Sequence, residues 1–122
     1  MINRLATDIA GLKLRNPTML AAGILGLSGA SMREVIDNGA GAVVTKSVGL
    51  KQRKGYLNPT VVQVSCGLLN AMGLPNPGIH DFLEEIREVK RFRADVPIIV
   101  SVYGFSAEEF AKVARIVGNA GA

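Results

Sequence analysis

Three short apolar runs alternate with stretches of helical period, and this alternation constrains the fold more than any other feature of the chain. Thr18 to Ala22, Ala42 to Thr45 and Pro97 to Val102 do not alternate apolar with polar residues. Continuous apolar runs of this length read as strands buried on both faces. A first helix is expected from Ser31, which forms a capping-box pattern with Glu34. Its apolar face is Met32, Val35 and Ile36, and Gly39 ends it. A second helix is expected from Ile79 to Arg93, with Phe82, Ile86 and Val89 at helical spacing. A third starts at Ser106, again with a capping box to Glu109, and carries the stripe Phe110, Val113, Ala114, Val117. The order βαβαβα predicts a parallel sheet joined by crossover helices.

Two regions depart from the alternation. Leu5 to Ile9 and Leu12 to Leu14 flank Ala10-Gly11 and predict a small lead-in hairpin, set apart from the sheet. Residues 48–78 are rich in Gly and Pro and lack a helical period, with one short strand expected from Thr60 to Ser65. A connection this long inside a compact domain usually carries function. The chain also echoes itself. Asn38-Gly39-Ala40-Gly41-Ala42 leads from helix one into strand two, and Asn119-Ala120-Gly121-Ala122 repeats that lead-in after helix three. Ala122 is therefore expected to open a fourth strand, and the 122 residues read as the N-terminal piece of a longer protein.

Composition narrows the class. Hydrophobic residues make up 48% and charged residues 20%, which excludes a disordered chain. A single Cys excludes a disulfide scaffold. Lys and Arg number 14 against 10 Asp and Glu, a net charge of +4. The basic residues are dispersed, however. Arg87, Lys90, Arg91 and Arg93 stand beside Glu84, Glu85 and Glu88, a mixture expected of a solvated helix face rather than of a nucleic-acid surface. The excess suits an anionic small molecule equally well. No signal-type apolar segment opens the chain and no apolar run is long enough for a membrane span, so a cytoplasmic, reducing setting is expected.

In parallel α/β proteins ligands sit at the C-terminal ends of the strands. Those ends are Ala22-Gly23, Lys46-Ser47 and Ser101-Val102-Tyr103-Gly104. Small residues at the first allow close approach of a flat ligand. Lysine at a buried strand end needs an acceptor or an anion, unless it reaches solvent. Asn70-Ala71-Met72-Gly73-Leu74-Pro75-Asn76-Pro77-Gly78 offers amide donors and acceptors from Asn70 and Asn76, and backbone N–H groups at Gly73. Cys66 reads as a small packed residue, and His80 as a surface or capping residue. Gly23, Gly26 and Gly29 have GxxGxxG spacing, a weak dinucleotide signal. Metal-ligand spacing is absent.

Taken together, these stretches resemble the N-terminal part of a class 1 dihydroorotate dehydrogenase. The resemblance is carried by Gly11 to Pro17, Ala21-Ala22-Gly23, Thr45-Lys46-Ser47, Asn58-Pro59-Thr60, Gly67 to Gly78 and Pro97 to Val102, in that order. The Asn-Ala-Met-Gly-Leu wording at 70–74 is closer to the NAD-linked branch, whose catalytic subunit works with a subunit carrying FAD and an iron–sulfur cluster. The resemblance implies a (β/α)₈ TIM barrel, of which 1–122 would supply about three βα units of one domain. It implies FMN, oxidation of dihydroorotate to orotate in pyrimidine biosynthesis, and an oligomer. By position it implies that Ala22, Lys46, Ser47 and Ser101 contact FMN. Lys46, Asn70, Ala71, Met72, Gly73 and Leu74 would hold the substrate. The family's catalytic Cys belongs to an Asn-x-Ser-Cys-Pro-Asn motif that these 122 residues do not contain, and Cys66 does not match it. Two other readings stay open: a transfer-RNA dihydrouridine synthase-like FMN barrel, and a non-catalytic partial-barrel interaction module.

Overall fold

The computed structural model describes residues 4–122. Strands β1 (Thr7–Ile9) and β2 (Leu12–Leu14) form an antiparallel hairpin. Its two-residue turn is Ala10-Gly11, both at positive φ (52° and 86°), the geometry that matches the twist of paired strands. The hairpin joins the rest through the chain that follows it. Arg15 donates to the carbonyls of Ile36 and Ala40, and Asn16 Nδ2 donates to Gly39 O at 2.8 Å. These carbonyls lie just before a sheet strand, so the hairpin sits at the strands' N-terminal end.

The main sheet contains β3 (Met19–Leu20), followed by a 3₁₀ turn (Ile24–Gly26) and α1 (Gly29–Asp37), then β4 (Ala42–Val44). The long connection holds a second antiparallel hairpin, β5 (Val61–Val64) and β6 (Gly67–Asn70). Then come α2 (Ile79–Phe92), β7 (Ile98–Ile99) and α3 (Ala107–Asn119). The sheet order is β3-β4-β7, all parallel, with register Leu20↔Val43 and Val43↔Ile98. The molecule is thus mixed α/β, built on parallel βα units.

Leu20, Val43 and Ile98 stand in one row and face the helices. The core joins Val43 and Ile98 to Met32 and Ile36 of α1, Phe82, Ile86 and Val89 of α2, and Val113 and Val117 of α3. The other face of the sheet is open: Met19 and Ile99 are exposed and Val44 is half-buried. The expectation of strands buried on both faces is therefore corrected. All three helices lie on one side, and among the described residues nothing covers the other.

Three further details differ from the sequence reading. The N-cap of α1 is Ser28, whose Oγ accepts from Ser31 N–H at 3.2 Å. Ser31 lies inside the first turn and spends its hydroxyl on Leu25 O. On α3, Val113 and Val117 are buried in the core, but Phe110 and Ala114 are exposed, because they lie to one side of the helix face that meets it. Cys66 is exposed at the β5–β6 turn, not packed; the turn lifts it away from the core. The Ser106 cap stands as read: its Oγ accepts from Glu109 N–H, and Glu109 returns a carboxylate to Phe105 N–H. The mixed charges of α2 also pair, Arg87 with Glu84 at 2.6 Å and Arg93 with Asp37 at 2.7 Å. Among the described residues no helix is long and apolar enough to cross a membrane.

Candidate functional site

Side chains alternate along a strand. Val43 faces the helices, so Val44 and Lys46 face the open side while Thr45 turns back and is fully buried. Parity therefore places Lys46 on the open face, just past the C-terminal end of β4. Two contacts fix its backbone. Lys46 N–H donates to Gly26 O at 2.9 Å, and Thr45 Oγ1 donates to Lys46 O at 3.0 Å. A Cβ on Gly26 would stand 2.7 Å from Lys46 N, so this approach requires glycine.

Past β4 and β7 the pairing resumes as a parallel bridge between Val48 and Val102, with Ser101 beside Thr45 and Ser47. Ser101 N–H donates to Thr45 Oγ1 at 3.2 Å, and the hydroxyls of Ser47 and Ser101 are hydrogen-bonded at 2.8 Å. Ala22 is exposed two residues past the end of β3, and the backbone lying against Thr45 and Lys46 is that of Gly26. Ser47 and Ser101 thus meet beside Lys46 where β4 and β7 end, whereas no hydrogen bond joins Ala22 to them among the described residues.

Residues 70–74 come to the same end of the sheet. Lys46, Arg53, Tyr56, Asn70, Met72, Gly73, Leu74, Pro75 and Phe105 line one cleft of about 470 Å³. Lys46 and Arg53 also line the adjoining cavity of about 430 Å³, with Ile24, Leu27, Met72 and Asn76. Neither is lined by an Asp or Glu. Ala71 lines neither; its N–H donates to Thr60 O at 2.8 Å, continuing the β5–β6 hairpin.

The backbone of this segment is polarised. The carbonyl of Met72 accepts from Tyr56 N–H, that of Gly73 from Arg53 Nε and that of Leu74 from Asn76 Nδ2. Among the described residues, the N–H groups of Met72, Gly73 and Leu74 make no hydrogen bond. Gly73 (φ 77°) and Leu74 (φ 55°) are both left-handed, which turns successive peptide dipoles. Committed carbonyls and open N–H groups beside two cations make a surface that favours carbonyl oxygens and anions.

Asn76, read from sequence as a possible ligand amide, is instead spent internally. Its Oδ1 accepts from Gly78 N–H at 2.9 Å, and its Nδ2 donates to Leu74 O and to Tyr103 Oη at 2.8 and 2.7 Å. It is only 6% exposed. His80 is exposed at the start of α2. Sequence reasoning missed Arg53 and Phe105, which depend on which loops the fold brings together. Gly26, Thr45 and Tyr103 stood in the sequence reading only as parts of a glycine spacing, the Thr45-Lys46-Ser47 run and the third strand end, without the contacts they make. Among the described residues no cluster of His, Cys, Asp and Glu could hold a metal ion.

Comparison with known proteins places this geometry in a family. The family model for dihydroorotate dehydrogenase matches residues 4–122. The chain is 51% identical over 113 residues to the protein of Methanocaldococcus jannaschii named dihydroorotate dehydrogenase B (NAD(+)), catalytic subunit. That match covers 91% of this chain and 37% of the relative. Proteins of the same name from Methanosarcina mazei and Pyrococcus abyssi are 51% and 48% identical, over 88% and 94% of this chain. They are matched over 34% and 38% of their own length, so the chain spans little more than a third of these relatives. With the family matched across nearly every residue that builds the sheet and the cleft, the chain belongs to the dihydroorotate dehydrogenase family.

Proposed function

We propose that residues 1–122 form the N-terminal third of a single FMN-binding (β/α)₈ barrel that oxidises dihydroorotate to orotate. The observation that carries this reading is the cleft itself. Lys46 and three uncommitted backbone N–H groups line a site free of acidic side chains, at the C-terminal ends of parallel strands.

The strand ends fit a flavin. Ala22 and the neighbouring Gly23 leave room for a flat ring, Val44 and Ile99 offer an uncovered apolar face, and the Ser47–Ser101 hydroxyl pair offers polar contacts. Ala22, Lys46, Ser47 and Ser101 would hold FMN, which supplies a hydride acceptor when bound. Lys46 carries a fixed positive charge beside the position where negative charge develops during hydride transfer. It also attracts the substrate carboxylate. Asn70 pairs donor and acceptor with the ring amides, and the N–H groups of 72–74 meet carbonyl oxygens. Ala71 acts as the peg that ties the segment to the hairpin.

Oxidation removes a hydride from one substrate carbon and a proton from its neighbour. Cys66 lies at an exposed turn and lines neither cavity, so it is not the base. The base belongs to the part of the barrel that the relatives have and this segment does not match. The relatives' name, catalytic subunit, points to a partner subunit, and the resemblance makes that partner an electron-transfer subunit carrying FAD and an iron–sulfur cluster. The test is anaerobic mixing of the complete FMN-loaded protein with dihydroorotate. Flavin bleaching with one orotate formed per flavin is expected; an unchanged flavin spectrum contradicts the reading.

A further inference from the structure

Arg53 is the second cation of the Lys46 cleft, and the proposed chemistry gives it no task. Its position is strongly determined. Its backbone pairs in both directions with Asn76, N–H to O at 2.9 Å and O to N–H at 3.0 Å. Its Nε donates to Gly73 O at 3.2 Å, and its guanidinium lies over the Phe105 ring, 5.2 Å from the centroid. Phe105 in turn meets Tyr103 edge-on at 5.8 Å, and Tyr103 Oη accepts from Asn76. Among the described residues Arg53 has no carboxylate partner.

One side chain thus joins three parts of the site: the end of the β7 segment through Phe105, the turn at 72–74 through Gly73, and the cleft shared with Lys46. A planar guanidinium suits this arrangement, because it can stack on a ring and hydrogen-bond in its own plane at once. An ammonium cannot do both. Holding the Gly73 carbonyl keeps the turn in the conformation whose N–H groups stay uncommitted. The unpaired charge raises the potential of the cleft for an anion.

We infer that Arg53 is a positioning residue, which latches the 72–74 turn to the Phe105 platform and so prepares its N–H groups for an anionic, carbonyl-bearing ligand. The identity of that ligand as dihydroorotate or orotate rests on the function proposed above; the latch does not.

The test uses the complete FMN-loaded protein with Arg53→Met and Arg53→Lys, and two readouts. Without ligand, amide hydrogen exchange at 72–76 is expected to quicken in both variants while flavin content stays at the parent level. Orotate, followed by its perturbation of flavin absorbance, is expected to bind about tenfold more weakly to both, the scale of one lost charge-assisted hydrogen bond. Parent-like exchange in Arg53→Met overturns the latch. Parent-like orotate affinity in Arg53→Lys also overturns it, because charge alone would then suffice. If the parent protein fails to bind orotate, the functional reading falls, and the exchange comparison still decides the latch. Should Arg53→Met fail to fold, Phe105→Leu removes the platform from the other side. A smaller loosening of 72–76 is then expected, and unchanged exchange overturns the proposal.

Discussion

Lys46 owes its place to parity: two residues after Val44 it must share the open face, and Thr45 between them must be buried. The same arithmetic shows which residues are spare. Cys66, exposed at a hairpin turn, touches neither the core nor the cleft. Cys66→Ala in the full-length protein should leave the pH–rate profile unchanged and shift stability by no more than about 0.5 kcal/mol, as for surface positions. Thermal melts and single-turnover rates check both; a large rate loss would restore Cys66 as a candidate base. Asp8 shows a different residue-scale effect. The side-chain hydrogen bond from Lys13, and then the backbone N–H of Gly11, hold its carboxyl below the usual carboxylate range. A lowered folded pKa contributes stability above the unfolded value and loses it as pH falls through the folded one. Asp8→Asn should therefore lower the melting temperature slightly at neutral pH, and the difference should fade as pH falls through and below the ordinary carboxylate range. A gap that widens in acid would contradict this assignment.

At the scale of elements, close backbone approach does what no side chain could. Gly26 brings the 3₁₀ turn onto Lys46, and Gly26→Ala would press a methyl group against backbone atoms at 2.7 to 2.8 Å. The cost should be about 1–3 kcal/mol, as for overpacking, with a weakened cleft as its companion. Urea unfolding and ligand titration on one preparation measure the two together, and parent-like values for both would show that the contact is not needed. Ser106→Ala removes the α3 cap and should cost about 1 kcal/mol in the same unfolding experiment, with no effect on the cleft. The elements themselves were legible in sequence because their signals are local: the period of Phe82, Ile86 and Val89, the Ser106–Glu109 cap, and the Ala10-Gly11 turn. Lys46 and Asn70 were legible as polar residues where apolar packing or a plain connector was otherwise expected. What was not legible is non-local. Ser31 matched a capping box, yet Ser28 is the cap, because Ser31 is drawn to Leu25 O. Phe110 had the right period but lies to one side of the face that meets the core. Arg53 and Phe105 are 52 residues apart in sequence and meet only because two connections converge on one end of the sheet.

For the whole molecule, the two faces of the sheet differ in what they do. One face buries the core under three helices, whereas the other leaves Met19 and Ile99 open and carries Lys46 at its rim. An apolar face next to a cationic, acid-free cleft suits the flat ring and the anion that the proposed function calls for. Lys46 lies where the two meet, so its charge is the point on which the account turns. The most direct measurement is stopped-flow reduction of the flavin by dihydroorotate in the complete protein, parent against Lys46→Ala. Removing a charge aimed at the transition state should slow reduction by about 10²–10³-fold. The unfolding midpoint should barely move, since Lys46 contributes nothing to the core. Equal reduction rates in a variant that folds and binds FMN like its parent would contradict the role of Lys46 and, with it, the proposed chemistry of the cleft.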